Sequence, residues 1–296
     1  MQEAFSGYHP VVNFIYFFFV IFFGMLFMHP VCLGISLLGA LSYAIYLNPQ
    51  KMLRFSYRYL LPILLITALV NPAFNHEGAT ILFYLENGNP VTLESILYGI
   101  AAATMLITIF AWFSCYNHVM TSDKFIYLFG RIIPALSLIL SMVLRFVPRF
   151  KDQLHVVSNA QKCIGRDVSN GKLFTRIRHG IRILSIMITW SLENAIETAD
   201  SMRSRGYGLK GRTAFSIFRF DHRDKILLGV ILFFILYILV GAWQDGIAFR
   251  YFPTMQGATD QIYSISIYLA YLIFCFIPLI INLWEDRKWK LLQSKI

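Results

Sequence analysis

The chain has 296 residues, of which 57% are hydrophobic and only 14% are charged. Soluble domains usually carry about 25% charged residues, so this composition excludes an ordinary soluble domain and indicates a membrane protein. The formal net charge of +10 fits either a nucleic-acid partner or an anionic membrane surface, and the placement of the cations decides between the two.

Six apolar runs are candidates for membrane-spanning helices, because each approaches the about 20 apolar residues that a bilayer requires. They cover residues 11–28, 31–48, 58–72, 95–117, 226–243 and 262–283. Only His29-Pro30 separates the first two runs, which predicts a tight helical hairpin. A seventh run, 132–144, is short for a span and has basic residues on both sides, so we expect it to be re-entrant or interfacial.

Lysine and arginine lie almost entirely on one side of this six-span topology. Of 26 such residues, three fall in 51–58, eighteen in 124–225 and four after Trp284, which leaves only Arg250 on the other side. Because cations concentrate in cytoplasmic loops, we expect a multi-pass inner-membrane protein with both termini cytoplasmic. This asymmetry accounts for the positive charge without a nucleic-acid partner.

The predicted fold class is an all-α polytopic membrane protein with about six transmembrane helices and long cytoplasmic amphipathic coupling helices. Three regions follow from it: four spans in 1–131, a cytoplasmic or interfacial coupling-helix region in 132–225, and two spans with a basic tail in 226–296.

Two long amphipathic helices are predicted in the cytoplasmic region. Apolar residues recur at helical spacing from Phe146 to Ile164, and a second helix is expected from about Leu173 to Arg205. The sequence 169–171, Ser-Asn-Gly, predicts a turn between them, and Gly206 is suited to end the second helix in the left-handed conformation.

Each of these helices ends in a comparable signature. Arg166 lies six residues after Ala160, and Arg205 lies six residues after Ala199. Both arginines would lie at helix C-termini, where the helix dipole favours a cation and small neighbours let another protein approach. The two ends together predict a two-pronged plug for a partner protein.

The stretch from Arg145 to Thr213 resembles the transmembrane T component of energy-coupling factor transporters, the family that includes the cobalt transporter permease. The matching segments are Arg-Phe-Val-Pro at 145–148, Ala160-Gln161 with Arg166, the eight residues 201–208, and Arg212-Thr213. The family carries two X-Arg-X triplets at the ends of its coupling helices. Here they are 165–167 and 204–206, and the first departs from the family's Ala-Arg-Gly because it reads Gly-Arg-Asp.

The resemblance implies that these triplets bind two ATP-binding-cassette ATPases, and that a small membrane protein captures a vitamin or metal ion. The implied ATPase-binding residues are Gly165, Arg166, Asp167, Ser204, Arg205 and Gly206, supported by Pro148, Ala160, Gln161, Ala199, Met202 and Tyr207. Asp167 would either compete for Arg166 or face a different partner surface. A conventional ABC permease, or another multispan transporter subunit with its own substrate pathway, is the alternative.

The remaining charged residues do not predict an enzyme. No phosphate-binding G-x-x-x-x-G-K-[ST] loop is present, so ATP and magnesium are expected on the partner ATPases, with no cofactor or metal in this chain. Glu193 and Glu197 lie four apart, but no histidine joins them at ligand spacing. We interpret Arg176, Arg178, Arg182 and Arg219 as residues that meet membrane lipids.

Overall fold

The structure, a computed structural model, describes residues 3–50, 58, 61–84, 89–130, 133–169, 172–209, 218–257 and 261–294. The helices in these ranges are α1 Pro10–Leu26, α2 Pro30–Leu47, α3 Leu61–Phe74, α4 Leu93–Val119, α5 Ser122–Gly130, α6 Pro134–Cys163, α7 Leu173–Ser204, α8 His222–Trp243 and α9 Gln261–Gln293. The strands pair antiparallel in two short sheets, β1 Ile81–Tyr84 with β2 Pro90–Thr92, and β3 Phe249–Arg250 with β4 Gln256–Gly257.

Apolar helices occupy all six predicted spans. Within the described residues, four of them (α2, α4, α8 and α9) are long and apolar enough to cross a membrane, and α1 and α3 are shorter apolar helices of 17 and 14 residues. The prediction of an all-α polytopic membrane protein is therefore confirmed. Part of the third predicted span, residues 59–60, lies outside the described residues, and so does most of the turn at 169–171.

The same dipeptide starts the first two helices. His9 and His29 are the N-caps of α1 and α2, and each ring Nδ1 accepts a hydrogen bond from the backbone N–H two residues ahead, at 3.3 and 3.2 Å. Pro10 and Pro30 take the first helical position, where proline's fixed φ fits and its missing N–H costs nothing. His29-Pro30, which separates the first two apolar runs in the sequence, is therefore the start of α2.

By internal contacts the chain divides into two compact units, Met1–Phe125 with Phe218–Ile296, and Ile126–Ile217. The first unit contains all six apolar helices. The second contains α6 and α7. The three predicted regions, 1–131, 132–225 and 226–296, also assign segments to the membrane or to the cytoplasmic side. That division stays a prediction.

Aromatic side chains form the core of the first unit, where α1, α4 and α9 meet. Tyr16 and Trp112 are fully buried, with ring centroids 6.1 Å apart, and Tyr16 also packs on Phe274 at 5.3 Å. Their polar atoms are satisfied, because the Tyr16 hydroxyl donates to the Cys275 carbonyl and the Trp112 indole donates to Ser36 Oγ. Such pairing lets aromatic residues with polar atoms pack in a core.

The N-terminal segment packs into this core. The Phe5 side chain is fully buried, and its backbone N–H donates to Asn282 Oδ1 of α9 at 2.9 Å. Lys124 of α5 is 6% exposed, and its ammonium donates to the Ser6 and Val119 carbonyls at 2.6 and 2.9 Å. Burial lowers the pKa of Lys124. One of the eighteen cations counted in the cytoplasmic region is therefore a buried structural group.

Helix α6 joins two segments that the sequence treats separately. It runs without a break for 30 residues from Pro134 to Cys163, with Pro148 inside it. A proline removes one backbone hydrogen bond and can bend a helix without ending it. Residues 134–144 of the apolar run therefore belong to one continuous helix. The re-entrant or interfacial placement of this run stays a prediction.

Helices α6 and α7 pack antiparallel in the second unit. Val157 of α6 lies in one buried cluster with Ile183 and Met187 of α7, and Phe150 meets Trp190 with ring centroids 5.9 Å apart. The lower-numbered residue of α6 thus faces the higher-numbered residue of α7. The two predicted amphipathic helices are confirmed, and the second ends at Ser204, within one residue of its expected end.

Candidate functional site

Helix α6 ends at a glycine in the left-handed conformation. Gly165 has φ +74°, and its N–H donates to the Lys162 carbonyl at 3.0 Å. The next N–H, that of Arg166, donates back to the Gln161 carbonyl at 2.9 Å. This pair of bonds is the Schellman motif, which satisfies the last carbonyls of a helix. It fixes the chain direction directly after the helix, at Arg166.

Helix α7 ends in the same motif. Gly206 has φ +76°, its N–H donates to the Arg203 carbonyl, and the N–H of Tyr207 donates to the Met202 carbonyl, both at 3.0 Å. The prediction that this glycine ends the helix in the left-handed conformation is confirmed. Arg205 is the capping residue, the last one before the glycine.

The two arginines do not occupy equivalent positions. Arg205 directly precedes Gly206, whereas Arg166 directly follows Gly165, so Tyr207 has the place at the second end that Arg166 has at the first. Both arginines are exposed, and within the described part of the chain neither forms an ion pair. Both arginines lie six residues after an alanine in the sequence. Relative to the end of its helix, however, Arg166 lies two positions further along the chain than Arg205.

The unusual Asp167 is engaged within its own loop. Its carboxylate accepts from the N–H of Ser169 at 3.0 Å and from the Ser169 hydroxyl at 2.6 Å, and it lies 3.6 Å from Lys162 Nζ. These Ser169 hydrogen bonds hold the pKa of Asp167 below its ordinary value. The structure therefore shows the Asp167 carboxylate bound to Ser169 and near Lys162, and not paired with Arg166 as the sequence suggested.

Lys162 and Ser169 are residues of this end that the sequence analysis did not single out. The Asp-x-Ser spacing at 167–169 is a signal for Ser169, since aspartate commonly accepts from the backbone N–H two residues on. We call these three residues, Lys162, Asp167 and Ser169, the α6 clasp.

The supporting residues of the predicted site lie on the same two helices. Pro148, Ala160 and Gln161 belong to α6, Ala199 and Met202 to α7, and Tyr207 follows α7. Gln161 and Met202 occupy the same position in their helices and provide the carbonyls that close the two Schellman motifs. A backbone carbonyl is present in any residue, so this role does not depend on their side chains.

The two arginine-bearing ends lie far apart. Arg176 near the start of α7 donates through Nε to the Val168 carbonyl at 2.7 Å, which places the end of α6 beside the beginning of α7. Arg205 lies at the other end of α7, whose 32 residues extend about 48 Å. The expected two-pronged plug is therefore wrong, because antiparallel helices carry their C-termini in opposite directions.

The acidic residues of α7 do not form a metal site in the described ranges. Glu193 and Glu197 are exposed, and no group of three or more His, Cys, Asp or Glu side chains is placed to hold a metal ion within those ranges.

Comparison with known proteins supports the resemblance. The sequence profile described as "Cobalt transport protein" (CbiQ) matches residues 5–215. The "Energy-coupling factor transporter transmembrane protein EcfT" of Lactococcus lactis subsp. cremoris is 39% identical over 110 residues, 37% of this chain and 41% of the relative. The protein of the same name from Lacticaseibacillus paracasei is 36% identical over 98 residues, 33% and 37% of the two chains, and that from Bacillus selenitireducens is 32% identical over 112 residues, 38% and 42%.

The matched stretch spans about two fifths of each of these relatives. The family profile, by contrast, covers more than half of this chain, from the buried N-terminal segment to the residues after α7. The resemblance to the transmembrane component of energy-coupling factor transporters is confirmed, and the chain belongs to the cobalt transport protein family, CbiQ.

Proposed function

We propose that this chain is the membrane scaffold of an energy-coupling factor importer, and that it holds one cytoplasmic ATPase at each end of the α6–α7 pair. Two exposed arginines at opposite ends of the pair support this proposal, since neither forms an ion pair with a described residue. Since about 48 Å of helix lies between them, two separate partner subunits fit this arrangement better than one.

The chemistry of each end suits a groove lined by acidic or carbonyl oxygens. A guanidinium presents five donors in a planar fork, and a helix C-terminus favours a cation by about 0.3–1 kcal/mol at exposed sites. Gly165, beside Arg166, lacks a side chain, so a partner backbone can approach closely there. No atom lies within 4 Å of the position where Gly165 would carry a Cβ, so the space beside Arg166 is open.

A continuous helix is suited to carry motion between the two ends. α7 has no interior proline, and its buried residues Ile183 and Met187 fix it against α6 near its middle. When the ATPases close and open, the displacement of either end would pass along the helix to a small substrate-binding membrane subunit. That subunit would capture a vitamin or metal ion. Apart from Arg58 at one end, the six predicted spans contain no Asp, Glu, Lys or Arg, which favours a substrate site on a separate subunit over a pathway through this chain.

In this proposal the chain itself is non-catalytic, and ATP and magnesium belong to the partner ATPases. The cation asymmetry supports a cytoplasmic placement of both termini and of the α6–α7 pair, where the ATPases would bind. The relatives' names, which place them in energy-coupling factor transporters, support the same assignment.

Purification of the tagged full chain from its native membrane tests the proposal. We expect mass spectrometry to identify two ABC-type ATPase subunits per chain and a small, very hydrophobic membrane protein. A chain that purifies with a second large permease and a soluble binding protein would instead be a conventional ABC permease subunit. A chain that purifies without any ATPase would contradict the proposal.

A further inference from the structure

The first half of α7 exposes a continuous apolar row. Leu173, Ile177 and Ile181 lie four residues apart, so they line one side of the helix, and they are 75%, 51% and 61% exposed. Phe174, 75% exposed, borders this row. None of these residues belongs to the buried cluster that holds α7 against α6. Large apolar side chains that α6 leaves this exposed mark an interaction surface of α7.

Arginines form the next row along the same helix. Arg178 and Arg182 follow Phe174 at four-residue spacing, and the Arg178 guanidinium lies 5.9 Å from the centre of the Phe174 ring. The long apolar stems of such arginines can lie along an apolar layer while the charged heads reach its polar surface. An apolar row with a basic border is typical of helices that lie in the plane of a membrane interface.

The charge of α7 is segregated along its length. From Lys172 to Leu192 the sequence has four lysines or arginines and no acid, whereas residues 193–204 contain three acids, Glu193, Glu197 and Asp200, and one arginine, Arg203. An anionic surface would therefore attract the first half and repel the second. Exposed apolar residues continue into the second half at Leu192 and Ile196, so exposure alone does not distinguish the halves, but charge does.

We propose that the first half of α7, residues 173–182, binds an anionic phospholipid surface. The row of Leu173, Ile177 and Ile181 would insert at the boundary between headgroups and acyl chains, and Arg178 and Arg182 would pair with lipid phosphates. Charge complementarity selects this partner, since a neutral apolar protein surface would gain nothing from the two border arginines. The proposal concerns α7 alone and does not depend on the ATPases.

Label depth in reconstituted bilayers tests this proposal. The full chain carries a nitroxide at Ile177→Cys in a Cys163→Ser background, because the other three cysteines are buried. Nanodiscs of phosphatidylglycerol with phosphatidylcholine are compared with phosphatidylcholine alone, and collisions with oxygen and with a water-soluble nickel chelate report immersion. We expect the label to be shielded from nickel with phosphatidylglycerol and markedly more accessible without it.

Variants separate lipid binding from loss of structure. Arg178→Gln with Arg182→Gln is expected to raise nickel accessibility in phosphatidylglycerol discs, and Arg178→Lys with Arg182→Lys to restore shielding. A control label at Ser201→Cys, in the acidic half, should stay accessible to nickel in both lipids. Equal accessibility at position 177 in the two lipids would overturn the proposal. Shielding that appears only after a membrane partner protein is added would also overturn it, and would assign the row to that protein.

Discussion

Gly165 and Gly206 occupy the same position in the same helix-ending motif, with φ +74° and +76°, yet the arginines beside them lie on opposite sides of the glycine. Arg166 follows its glycine and Arg205 precedes its own. The backbone at the two ends is alike, whereas the guanidinium groups start from different points on it. We therefore expect the two partner grooves to receive their arginines in different orientations.

Replacement of either glycine should destabilise the helix end that carries the arginine. An L-residue in the left-handed conformation costs about 1–2 kcal/mol. Gly206→Ala and Gly165→Ala should cost similar amounts, because nothing lies within 4 Å of the new Cβ at Gly165, and the close atom at Gly206, Leu209 Cδ1 at 3.0 Å, belongs to a side chain that is 71% exposed and can move aside. Hydrogen exchange of peptides covering each helix end, measured by mass spectrometry, reports the change.

Gly180 in the interior of α7 is the matched control. It has no atom within 4 Å of the position of a new Cβ, and its φ is not in the left-handed range. Gly180→Ala should therefore stabilise α7 by up to about 1 kcal/mol, since alanine is the better helix former. Equal changes in hydrogen-exchange protection in all three variants would show that the left-handed conformation of Gly165 and Gly206 does not affect the stability of the helix ends.

The α6 clasp should protect the loop that carries Arg166. Asp167→Ala removes the acceptor of the Ser169 N–H, so exchange at Ser169 should accelerate. Asp167→Asn keeps an oxygen for that bond but loses the charge facing Lys162, and it should have the smaller effect. Asp152→Ala, elsewhere on α6, is the control and should leave Ser169 unchanged. Unaltered exchange in Asp167→Ala would exclude the clasp.

Protonation of Asp167 at low pH should weaken the α6 clasp, as Asp167→Ala does. Because the folded pKa of Asp167 is lowered, its contribution is present above the ordinary aspartate pKa and is lost as pH falls through the lowered value. The clasp is therefore fully formed at neutral pH. A spin label on the exposed Cys163 should gain mobility only in the acid range, and Asp167→Ala should abolish that transition.

The contact between α6 and α7 should depend on one buried methionine. Met187 is 1% exposed, and Met187→Ala should destabilise the pair by about 2–5 kcal/mol, the usual range for a large core side chain. Ile188 is half exposed, so Ile188→Ala should change little. Exchange of α6 peptides around Val157 distinguishes the two, and similar protection in both variants would contradict the packing.

The buried N-terminal segment should contribute to the stability of the first unit. Phe5 packs against Tyr16 and Phe17, with ring centroids 5.4 and 6.1 Å away, so Phe5→Ala should cost about 3–5 kcal/mol. Phe18 is 52% exposed, and Phe18→Ala should have a much smaller effect in detergent. The thermal unfolding midpoint of the purified chain measures both, and equal shifts would show that the segment is not packed as described.

The spans and the two amphipathic helices were predictable because they depend on local pattern. Apolar runs of helical length identify the spans, and the four-residue spacing from Phe146 to Leu154 identifies α6. Gly206 was recognisable as a helix end, and Gly165 carries the same local signal.

Pairing between distant segments was not predictable from those patterns. Nothing local states that α6 and α7 run antiparallel, so the separation of Arg166 from Arg205 became visible only in the structure. Lys124 looked like a topological cation, but its partners Ser6 and Val119 lie on segments that only the fold brings together. The sequence suggested Asp167 as a competitor for Arg166, whereas its partners in the structure are Ser169 and Lys162.

In the proposed function, each arginine-bearing end retains its own ATPase. Arg205→Ala, Arg166→Ala, the double variant and the control Arg203→Ala would each be purified with endogenous partners, and ATPases per chain counted by quantitative mass spectrometry. Truncating one member of a buried charge pair costs about 2–5 kcal/mol, enough to lose a subunit during purification. We predict that each single variant falls from two ATPases toward one and the double variant toward none, while Arg203→Ala retains two. Two ATPases retained in the double variant would contradict the account.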